Sequence, residues 1–304
     1  MRVIGLDIGG TELKGGMVTS KGECLGSLRI PTPHDEGNKG VLKAIHTLIN
    51  RLNEQYGPYD GIGVATAGRV NIHTGVVVYA TENLPGWKNL RLKQDLERVH
   101  HVPVMVDNDV NAGLVGELWN PPEEYGDSVV MLTLGTGVGG AASIGGKLVR
   151  GRNWNGNEWG HVVLVPGGRE CNCGQRGCIE QYLSGTALLR AINEKESRNI
   201  THGSDVFKHF TEGNAVARLV VEEFLEYLAI VISNISVIYD PDSIIIGGGM
   251  IHSKDFWWAN LIDLLREKGI QNEIYPAHFG NHAGVRGAGK LIVDYLEGVH
   301  MNEA

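Results

Sequence analysis

Three short glycine clusters, each directly after an apolar run, constrain the fold of this chain more than any other feature. They lie in DIGGT (residues 7–11), GTGVGG (residues 135–140) and IIIGGGM (residues 244–250). The chain has 43 glycines in 304 residues, about twice the usual ~7 % share, without a collagen-like period. Because glycine lets the backbone approach a ligand closely, the sequence predicts strands that end in ligand-binding loops.

The apolar spacing predicts alternating strands and helices. RVIGLDI, LKGGMVTS and ECLGSLRI indicate a three-stranded meander, GIGVATA and VPVMVD two further strands, and residues 38–57, 90–100 and 110–119 helices. Residues 128–151 begin again with a strand, a glycine turn and further strands, and helices follow from about residue 177. A long buried helix over 215–240, the strand in SIIIGGGM and a last helix over 289–299 complete the prediction.

The two halves have a similar order of elements. The strand–DIGGT–strand pattern near residue 7 is repeated as strand–LGTG–strand near residue 134. This predicts a duplicated α/β fold with a cleft between two domains, and the length agrees with domains of about 100–200 residues. We expect a smaller domain over 1–112 with the C-terminal helix at about 289–304, and a larger one over 113–288.

The glycine loops indicate phosphate binding. In DIGGT, Asp7 ends a strand where a carboxylate can orient a Mg²⁺-bound water. The turn that follows, Gly9, Gly10 and Thr11, presents N–H and hydroxyl donors to an anion, although a plain hairpin turn has the same pattern. GTGVGG is followed by strand-like sequence instead of a helix, which argues against a dinucleotide site and for a hairpin phosphate loop. The cluster in IIIGGGM suits close approach of a base or ribose.

Composition narrows the function classes. A net charge of −8 argues against a nucleic-acid surface and a polybasic membrane anchor. No secretory signal or ~18-residue apolar run is present, so we expect a cytosolic protein in which disulfides are disfavoured. The three cysteines of CNCGQRGC (Cys171, Cys173 and Cys178) then indicate a metal site, whereas Cys24 is predicted to be a small buried apolar residue.

Several of these segments together resemble the ROK family of bacterial sugar kinases and repressors. The resemblance rests, in chain order, on LDIGGTELKGGMV, VDNDVNAGLVGE, TLGTGVGGAASIGGKLVRG, EWGHVVLVPGGRECNCGQRGCIEQYLSG and IIIGGGM. Its most specific part is E-x-x-H followed by C-x-C-G-x-x-G-C-x-E. The family implies an actin/hexokinase-like (ribonuclease H-like) fold with two domains flanking an active-site cleft, and an ATP-dependent hexose kinase that uses ATP, Mg²⁺ and a structural Zn²⁺.

The resemblance also assigns the acidic cluster in VDND. By itself this cluster is more typical of a helix N-cap than of a catalytic site. The family implies that Asp109 is the general base and that Asn108 is a sugar ligand, with Asp107 as base if the register is shifted by two. The full set of implied sugar-binding residues is Gly68, Asn83, Asn108, Asp109, Glu158, His161 and Glu180.

The implied ATP or phosphate contacts come from the glycine loops. Their residues are Asp7, Gly9, Gly10, Thr11, Lys14, Gly135, Thr136, Gly137, Gly247, Gly248 and Gly249. Two members of the predicted site stay open: Lys14 could contact phosphate or be a solvated strand residue, and Asn83 could contact a hydroxyl or belong to a plain Pro-Gly loop. Many ROK kinases have Pro-Gly where this chain has Ala67-Gly68, which loosens any inference about the sugar.

His161 completes the metal site. It is the nearest histidine upstream of the cysteines, and the family places a ligand there, so the predicted set is His161, Cys171, Cys173 and Cys178. Four protein ligands close a tetrahedral zinc, which is then structural. The glycines at 174 and 177 permit the tight turns of this loop. The resemblance implies that one imidazole nitrogen binds zinc while the other faces the sugar.

Three functions compete. A hexose kinase is favoured, with glucose first and N-acetylmannosamine, fructose, allose or a β-glucoside as alternatives. A ROK repressor is disfavoured because DIGGT begins at Asp7 and leaves no room for a DNA-binding segment. A non-catalytic sugar-sensing protein is disfavoured by the intact DIGGT and Asp109. Family members are commonly dimers or tetramers, so we expect a homodimer or homotetramer with no nucleic-acid or membrane partner.

Overall fold

The computed structural model describes residues 1–81, 84–196 and 200–299. The chain divides into two compact units. Unit 1 contains Met1–Glu123, Lys147–Gly156 and the chain from Asn281 on, and unit 2 contains Glu124–Gly146 and Asn157–Gly280. The domain boundaries expected from the sequence, 1–112 with 289–304 and 113–288, stay a prediction. Unit 1 as observed is larger, because it also includes residues 113–123, 281–288 and the 147–156 segment.

Unit 1 is built on a five-stranded sheet of order β3-β2-β1-β4-β7. The strands β1, β2 and β3 form an antiparallel meander, while β4 is parallel to β1 and β7 is parallel to β4. A separate hairpin joins β5 and β6. The strands and helices of this unit are β1 (Arg2–Ile8), β2 (Glu12–Thr19), β3 (Cys24–Pro31), α1 (Gly37–Tyr56), β4 (Ile62–Thr66), β5 (Arg69–Asn71), β6 (Val76–Tyr79), α2 (Leu92–His100), β7 (Val104–Asn108), α3 (Asp109–Leu118) and α9 (Ala283–Leu296).

Glycines let α9 lie unusually close to this sheet. A Cβ at Gly5 of β1 would lie 2.1 Å from the Val285 carbonyl oxygen, and one at Gly63 of β4 would lie 1.7 Å from the Ala288 carbonyl oxygen. Gly287 of α9 approaches α3 in the same way, 1.6 Å from the Ala112 carbonyl oxygen. The last helix therefore begins at Ala283 instead of the predicted residue 289, since tertiary packing overrides the weak helix propensity of its glycines.

The sheet of unit 2 contains β9, β8, β11 and β12 in this order. The strand β8 is antiparallel to β9 and parallel to β11, which is parallel to β12. Helix α7 buries ten of its 25 residues, so the prediction of a mostly buried helix is wrong. One of these ten, Phe224, packs its ring against those of Phe207 and Trp257. The elements from β8 onward are β8 (Val129–Leu134), β9 (Val138–Ile144), β10 (Lys147–Leu148, at the start of the 147–156 segment), α4 (Glu180–Leu183), α5 (Gly185–Lys195), α6 (Gly203–Thr211), α7 (Ala215–Tyr239), β11 (Ser243–Gly247), α8 (Trp258–Glu267) and β12 (Glu273–Pro276).

The predicted duplication is confirmed. Each unit begins with an antiparallel hairpin, β1–β2 in unit 1 and β8–β9 in unit 2, and then adds two parallel strands on the same side. The turn of each hairpin is one of the predicted phosphate loops. In the described part of the chain, no helix combines the length and apolar character needed to span a membrane.

The prediction for Cys24 is wrong. The sequence placed this residue among buried small apolar side chains, but Cys24 is exposed. It begins β3, the edge strand of the unit 1 sheet, and its thiol donates to the Gly26 carbonyl oxygen at 3.5 Å. An edge strand with alternating burial exposes every second residue, and the meander alone did not reveal which face Cys24 occupies.

Candidate active site

Asp7 lies near the end of β1, directly opposite Lys14 of β2. Lys14 Nζ lies 3.4 Å from Asp7 Oδ2, so Lys14, which the sequence left open between phosphate and solvent, is paired with Asp7. Burial raises the pKa of the Asp7 carboxyl above its ordinary value, and the charge of Lys14 acts in the opposite direction. A Cβ at Gly284 would lie 2.9 Å from Asp7 Cγ. The first turn of α9 therefore packs directly on this carboxyl.

The DIGGT turn is held by its own backbone and by Thr32. Gly9 N–H donates to the Glu12 carbonyl oxygen at 3.1 Å, and Thr32 Oγ1 donates to the Gly9 carbonyl oxygen at 2.7 Å. The Thr32 N–H donates to the Thr11 carbonyl oxygen at 3.0 Å. Gly10 is partly accessible and Thr11 is exposed. The predicted phosphate-binding residues of this turn thus lie at the surface of unit 1, on an anchored hairpin.

The junction between β7 and α3 brings three predicted sugar-side residues together. Asn108 caps α3, because its Oδ1 accepts from the N–H groups of Val110 (2.9 Å) and Asn111 (3.1 Å). Its Nδ2 donates to the Gly68 carbonyl oxygen at 2.9 Å and to Asp109 Oδ1 at 2.8 Å. The capping interpretation is therefore true of Asn108, and the same cap orients the carboxylate of Asp109.

Gly68 is required by its backbone conformation. Its φ is +98°, and a Cβ there would lie 2.3 Å from the Tyr79 carbonyl oxygen. This turn between β4 and β5 presents its carbonyl to Asn108, as described above. Asn83, the other predicted sugar-side residue from a loop, lies outside the described residues.

Asp107 is engaged in a different way from Asp109. Its Oδ2 accepts two hydrogen bonds from the Arg150 guanidinium (2.9 and 2.7 Å), and its Oδ1 accepts from the Asn108 N–H and the Asn111 amide. A carboxylate offers about four acceptor sites, so protein donors already saturate Asp107. Arg150 was not singled out in the sequence, because nothing in LVRGRN indicates a partner at residue 107.

In unit 2 the second glycine loop borders a cavity of about 360 Å³. Gly185 N–H donates to the Gly135 carbonyl oxygen at 2.7 Å, and Thr186 Oγ1 donates to the Thr136 carbonyl oxygen at 2.9 Å. Residues that the sequence did not single out supply the other walls. The lining is Gly135, Thr136, Gly185, Thr186, Leu189, Thr201, His202, Gly203, Ser204, Gly249 and Met250.

Of the three glycines in the third cluster, only Gly249 lines this cavity. A Cβ at Gly247 would lie 2.7 Å from Met131 Cε, and one at Gly248 (φ +83°) would lie 2.5 Å from the Leu134 carbonyl oxygen. These two glycines therefore let β11 and the following turn pack against β8. The helix-start signal SGT at residues 184–186, where Ser184 caps α5, could have revealed part of the missing wall.

Glu180 is tied to the same glycine loop. Val138 N–H donates to Glu180 Oε2 at 3.1 Å, and a Cβ at Gly137 would lie 2.4 Å from that oxygen. Glu158 immediately precedes the 3₁₀ turn Trp159–His161. Backbone bonds join His161 to this turn, since its N–H donates to the Glu158 carbonyl oxygen at 3.0 Å. Of the three predicted polar sugar contacts of unit 2, Glu158 and His161 thus lie at this 3₁₀ turn and Glu180 is the first residue of α4.

The four predicted metal ligands converge. A ring nitrogen of His161 and the sulfurs of Cys171, Cys173 and Cys178 all lie within 4.8 Å of one another. His161 Nδ1 is 3.6 Å from Cys171 Sγ, and Cys173 Sγ is 3.6 Å from Cys178 Sγ. A tetrahedral zinc with bonds of about 2.3 Å to sulfur and 2.0 Å to nitrogen separates its ligands by roughly 3.5–3.8 Å. The chemistry and spacing of this set therefore fit zinc.

Local backbone geometry builds this metal loop. Gly174 and Gly177 have φ of +91° and +82°, as the predicted tight turns require, and a Cβ at Gly177 would lie 1.7 Å from the Val165 carbonyl oxygen. Cys171 N–H donates to the Gln175 carbonyl oxygen at 2.9 Å. The loop thus brings Cys171, Cys173 and Cys178 together through bonds within residues 165–178.

Comparisons with known proteins agree with this fold. The profile of the ROK family matches residues 3–294. A glucokinase of Thermotoga maritima is 32 % identical over 324 residues, covering 98 % of this chain and 99 % of the relative. An N-acetyl-D-glucosamine kinase of Yersinia pseudotuberculosis is 30 % identical over 304 residues, covering 94 % and 97 %.

Solved structures extend the comparison to the fold. A ROK family glucokinase from Streptomyces griseus, in complex with glucose and AMPPNP, has a TM-score of 0.83 at 29 % identity and covers 96 % of this chain and 99 % of that one. The duplicated α/β architecture is accordingly actin/hexokinase-like. With its family profile, relatives and structural neighbours in agreement, the chain belongs to the ROK family.

Proposed function

We propose that this chain, an ATP-dependent sugar kinase of the ROK family, phosphorylates glucose at the 6-hydroxyl with Asp109 as the general base. The observation that carries the assignment is the placement of the Asp109 carboxylate at the start of α3. Four protein donors saturate Asp107, whereas Asn108 and Val110 hold Oδ1 of Asp109 at the first residue of α3. Because the N-terminus of a helix carries a partial positive charge, it stabilises the ionised form of the Asp109 carboxylate at this position.

In the proposed chemistry, the role of Asp109 is to accept one proton. The carboxylate accepts the proton of the sugar hydroxyl as the hydroxyl oxygen attacks the γ-phosphorus of ATP, the bond from that phosphorus to the β-phosphate oxygen breaks, and ADP leaves. A positioned base of this kind contributes about 10²–10⁴-fold to the rate. The remaining acceleration comes from orientation of the two substrates and from stabilisation of charge on the transferred group.

The nucleotide is proposed to occupy the cavity of unit 2. Its volume of about 360 Å³ lies in the range of small-molecule sites, and the Gly135–Thr136 turn forms one wall. The phosphates would meet the backbone of residues 135–137 and of the DIGGT turn. Mg²⁺, which neutralises phosphate charge when bound, would be held through water by Asp7. Gly247 and Gly248 would act by shaping the turn that carries Gly249.

The sugar is proposed to contact Gly68 and Asn108 in unit 1 and Glu158, His161 and Glu180 in unit 2. A structural zinc on His161 Nδ1 and the three cysteines would fix the imidazole plane and tautomer, which leaves Nε2 for a sugar hydroxyl. The contacts of Asn83, the cytosolic location and an assembly of two or four copies stay predictions.

N-acetyl-D-glucosamine is the second candidate substrate. Relatives at 30 % identity with that activity cover 94 % of this chain, and Ala67 departs from the Pro-Gly pattern of many ROK kinases. Epimers and 2-substituted sugars differ by one or two contacts, so the two candidates would share the machinery described above.

A coupled assay of ADP release with a panel of hexoses and N-acetylhexosamines tests the proposal. We expect the highest kcat/KM with glucose and a 6-phosphate product by NMR. Asp109→Asn should abolish turnover while glucose affinity, measured by calorimetry, stays close to that of the unaltered protein. ADP release with no sugar of the panel would refute the kinase assignment, and unchanged turnover in Asp109→Asn would refute its role as base.

A further inference from the structure

A buried ion pair lies directly behind the proposed catalytic residue. The side chains of Asp107 and Arg150 are both more than nine-tenths buried. Both Nε and Nη2 of Arg150 donate to Asp107 Oδ2, at 2.9 and 2.7 Å. The pair joins the end of β7 to the 147–156 segment, so its position depends on both.

The other oxygen of Asp107 holds the start of α3. Oδ1 accepts from the backbone N–H of Asn108 at 2.7 Å and from Nδ2 of Asn111 at 3.1 Å. Asn108 in turn donates to Asp109 Oδ1 at 2.8 Å. Two successive hydrogen bonds therefore connect the Asp107 carboxylate to the carboxylate of the proposed base.

The segment that carries Arg150 is itself fastened within unit 1. Arg69 Nη1 donates to Asn155 Oδ1 at 2.8 Å, and the ring of Trp154 packs edge-on against His73 at 5.2 Å between centroids. The loop is closed by the Gly156 N–H, which donates to the Arg150 carbonyl oxygen at 2.9 Å. The guanidinium is thus presented by a loop that these contacts anchor, and the Arg150 side chain is buried.

A contribution to folding stability does not by itself explain why a buried ion pair is present at this position. Buried ion pairs can often be replaced by apolar side chains of similar size without loss of stability, because desolvation offsets much of their attraction. A bidentate guanidinium does supply what an apolar contact lacks, a fixed direction for the carboxylate it binds. The pair lies beside Asn108 and Asp109, which indicates that the fixed orientation of the Asp107 carboxylate serves to orient these two residues.

We propose that Arg150 and Asp107 are positioning residues, which orient Asn108 and through it the carboxylate of Asp109 for phosphoryl transfer. The inference rests on the proposed role of Asp109. Neither residue of the pair receives the proton, since Asp107 has its acceptor sites filled. Removal of the pair should therefore lower kcat through misorientation, because displacements of about 1 Å can reduce the rate about 10²-fold.

The decisive variant is the double substitution Arg150→Met with Asp107→Asn, which removes both charges together and keeps a side-chain oxygen that can accept from the Asn108 N–H and from Asn111 Nδ2. We expect its melting temperature to stay near that of the unaltered protein and its kcat with glucose to fall roughly 10- to 100-fold, with the KM for ATP unchanged. Arg150→Lys keeps the positive charge but loses the two-pronged guanidinium contact with Asp107. Its kcat should therefore lie between that of the unaltered protein and that of the double variant. Recovery of full kcat in the stable double variant would overturn the proposal.

Amide hydrogen exchange gives a readout independent of kinase activity. The peptide covering residues 104–112 should exchange faster in the double variant, at unchanged protection elsewhere. Arg218→Met, which breaks an exposed pair with Glu222 on α7, serves as the control and should change neither quantity. Unchanged exchange at 104–112 refutes the positioning role even if no sugar is phosphorylated, whereas failure of the sugar panel in the unaltered protein refutes the proposed function alone.

Discussion

Gly137→Ala should separate sugar binding from folding. The backbone of Gly137 does not adopt the left-handed conformation, so alanine is allowed there. The new Cβ would, however, lie 2.4 Å from Glu180 Oε2. Ordinary contact begins near 3.4 Å, so the carboxylate must retreat by about 1 Å. Its bond from the Val138 N–H, already 3.1 Å long, then passes beyond hydrogen-bonding range.

The size of both effects of Gly137→Ala, on stability and on glucose affinity, depends on the displacement of the Glu180 carboxylate. The crowded atom is the far end of a flexible side chain, so we expect the free energy of unfolding to change by less than about 1 kcal/mol. If the Glu180 carboxylate accepts a hydrogen bond from a sugar hydroxyl, loss of that bond to a charged group costs about 1.5–3 kcal/mol. At about 1.4 kcal/mol per tenfold, the Kd for glucose should rise roughly 10- to 100-fold.

Calorimetric titration of glucose and thermal unfolding measure the two quantities on one sample. The matched control is Gly113→Ala in α3, where a Cβ meets no atom within 4 Å. This control should gain up to about 1 kcal/mol of stability from helix propensity and keep its glucose affinity. A glucose Kd within twofold of the unaltered protein in Gly137→Ala would refute the role assigned to Glu180. A large loss of stability would refute the steric argument.

Three further outcomes are expected. Cys173→Ser, or chelation, should remove zinc measured by atomic emission and lower both melting temperature and glucose affinity; a zinc-free protein with normal affinity would contradict this. Gly203→Ala would place a Cβ 2.5 Å from the Gly185 carbonyl oxygen, a backbone atom that cannot yield cheaply, so the KM for ATP should rise at least about tenfold with glucose binding retained. Because burial raises the pKa of Asp7 above 3.8, the unfolded carboxyl ionises first as the pH rises, and folding stability falls across that window. Asp7→Asn should therefore unfold at a higher temperature than the unaltered protein at pH 7, with the advantage lost below about pH 3.8; a lower melting temperature at pH 7 would contradict it.

Local sequence determined the elements and several loops. Most of the strands and helices, the duplicated hairpins and the convergence of His161 with the three cysteines were predictable, whereas the β5–β6 hairpin, α8 and β12 were not predicted. Each predicted feature depends on residues close together in the chain, through apolar period, turn glycines or ligand spacing. The Asn108 cap belongs to the same class, since its partners lie within three residues.

The tertiary structure alone decided which distant residues meet. Asp107 and Arg150 are 43 residues apart, and Gly135 pairs with Gly185 across a comparable distance. The same is true of the early start of α9, set by the close approach of its glycines to β1, β4 and α3, and of the exposure of Cys24 on an edge strand. Residue type and spacing encode what a segment can form, but the partner of a side chain depends on which surfaces pack together once the whole chain has folded.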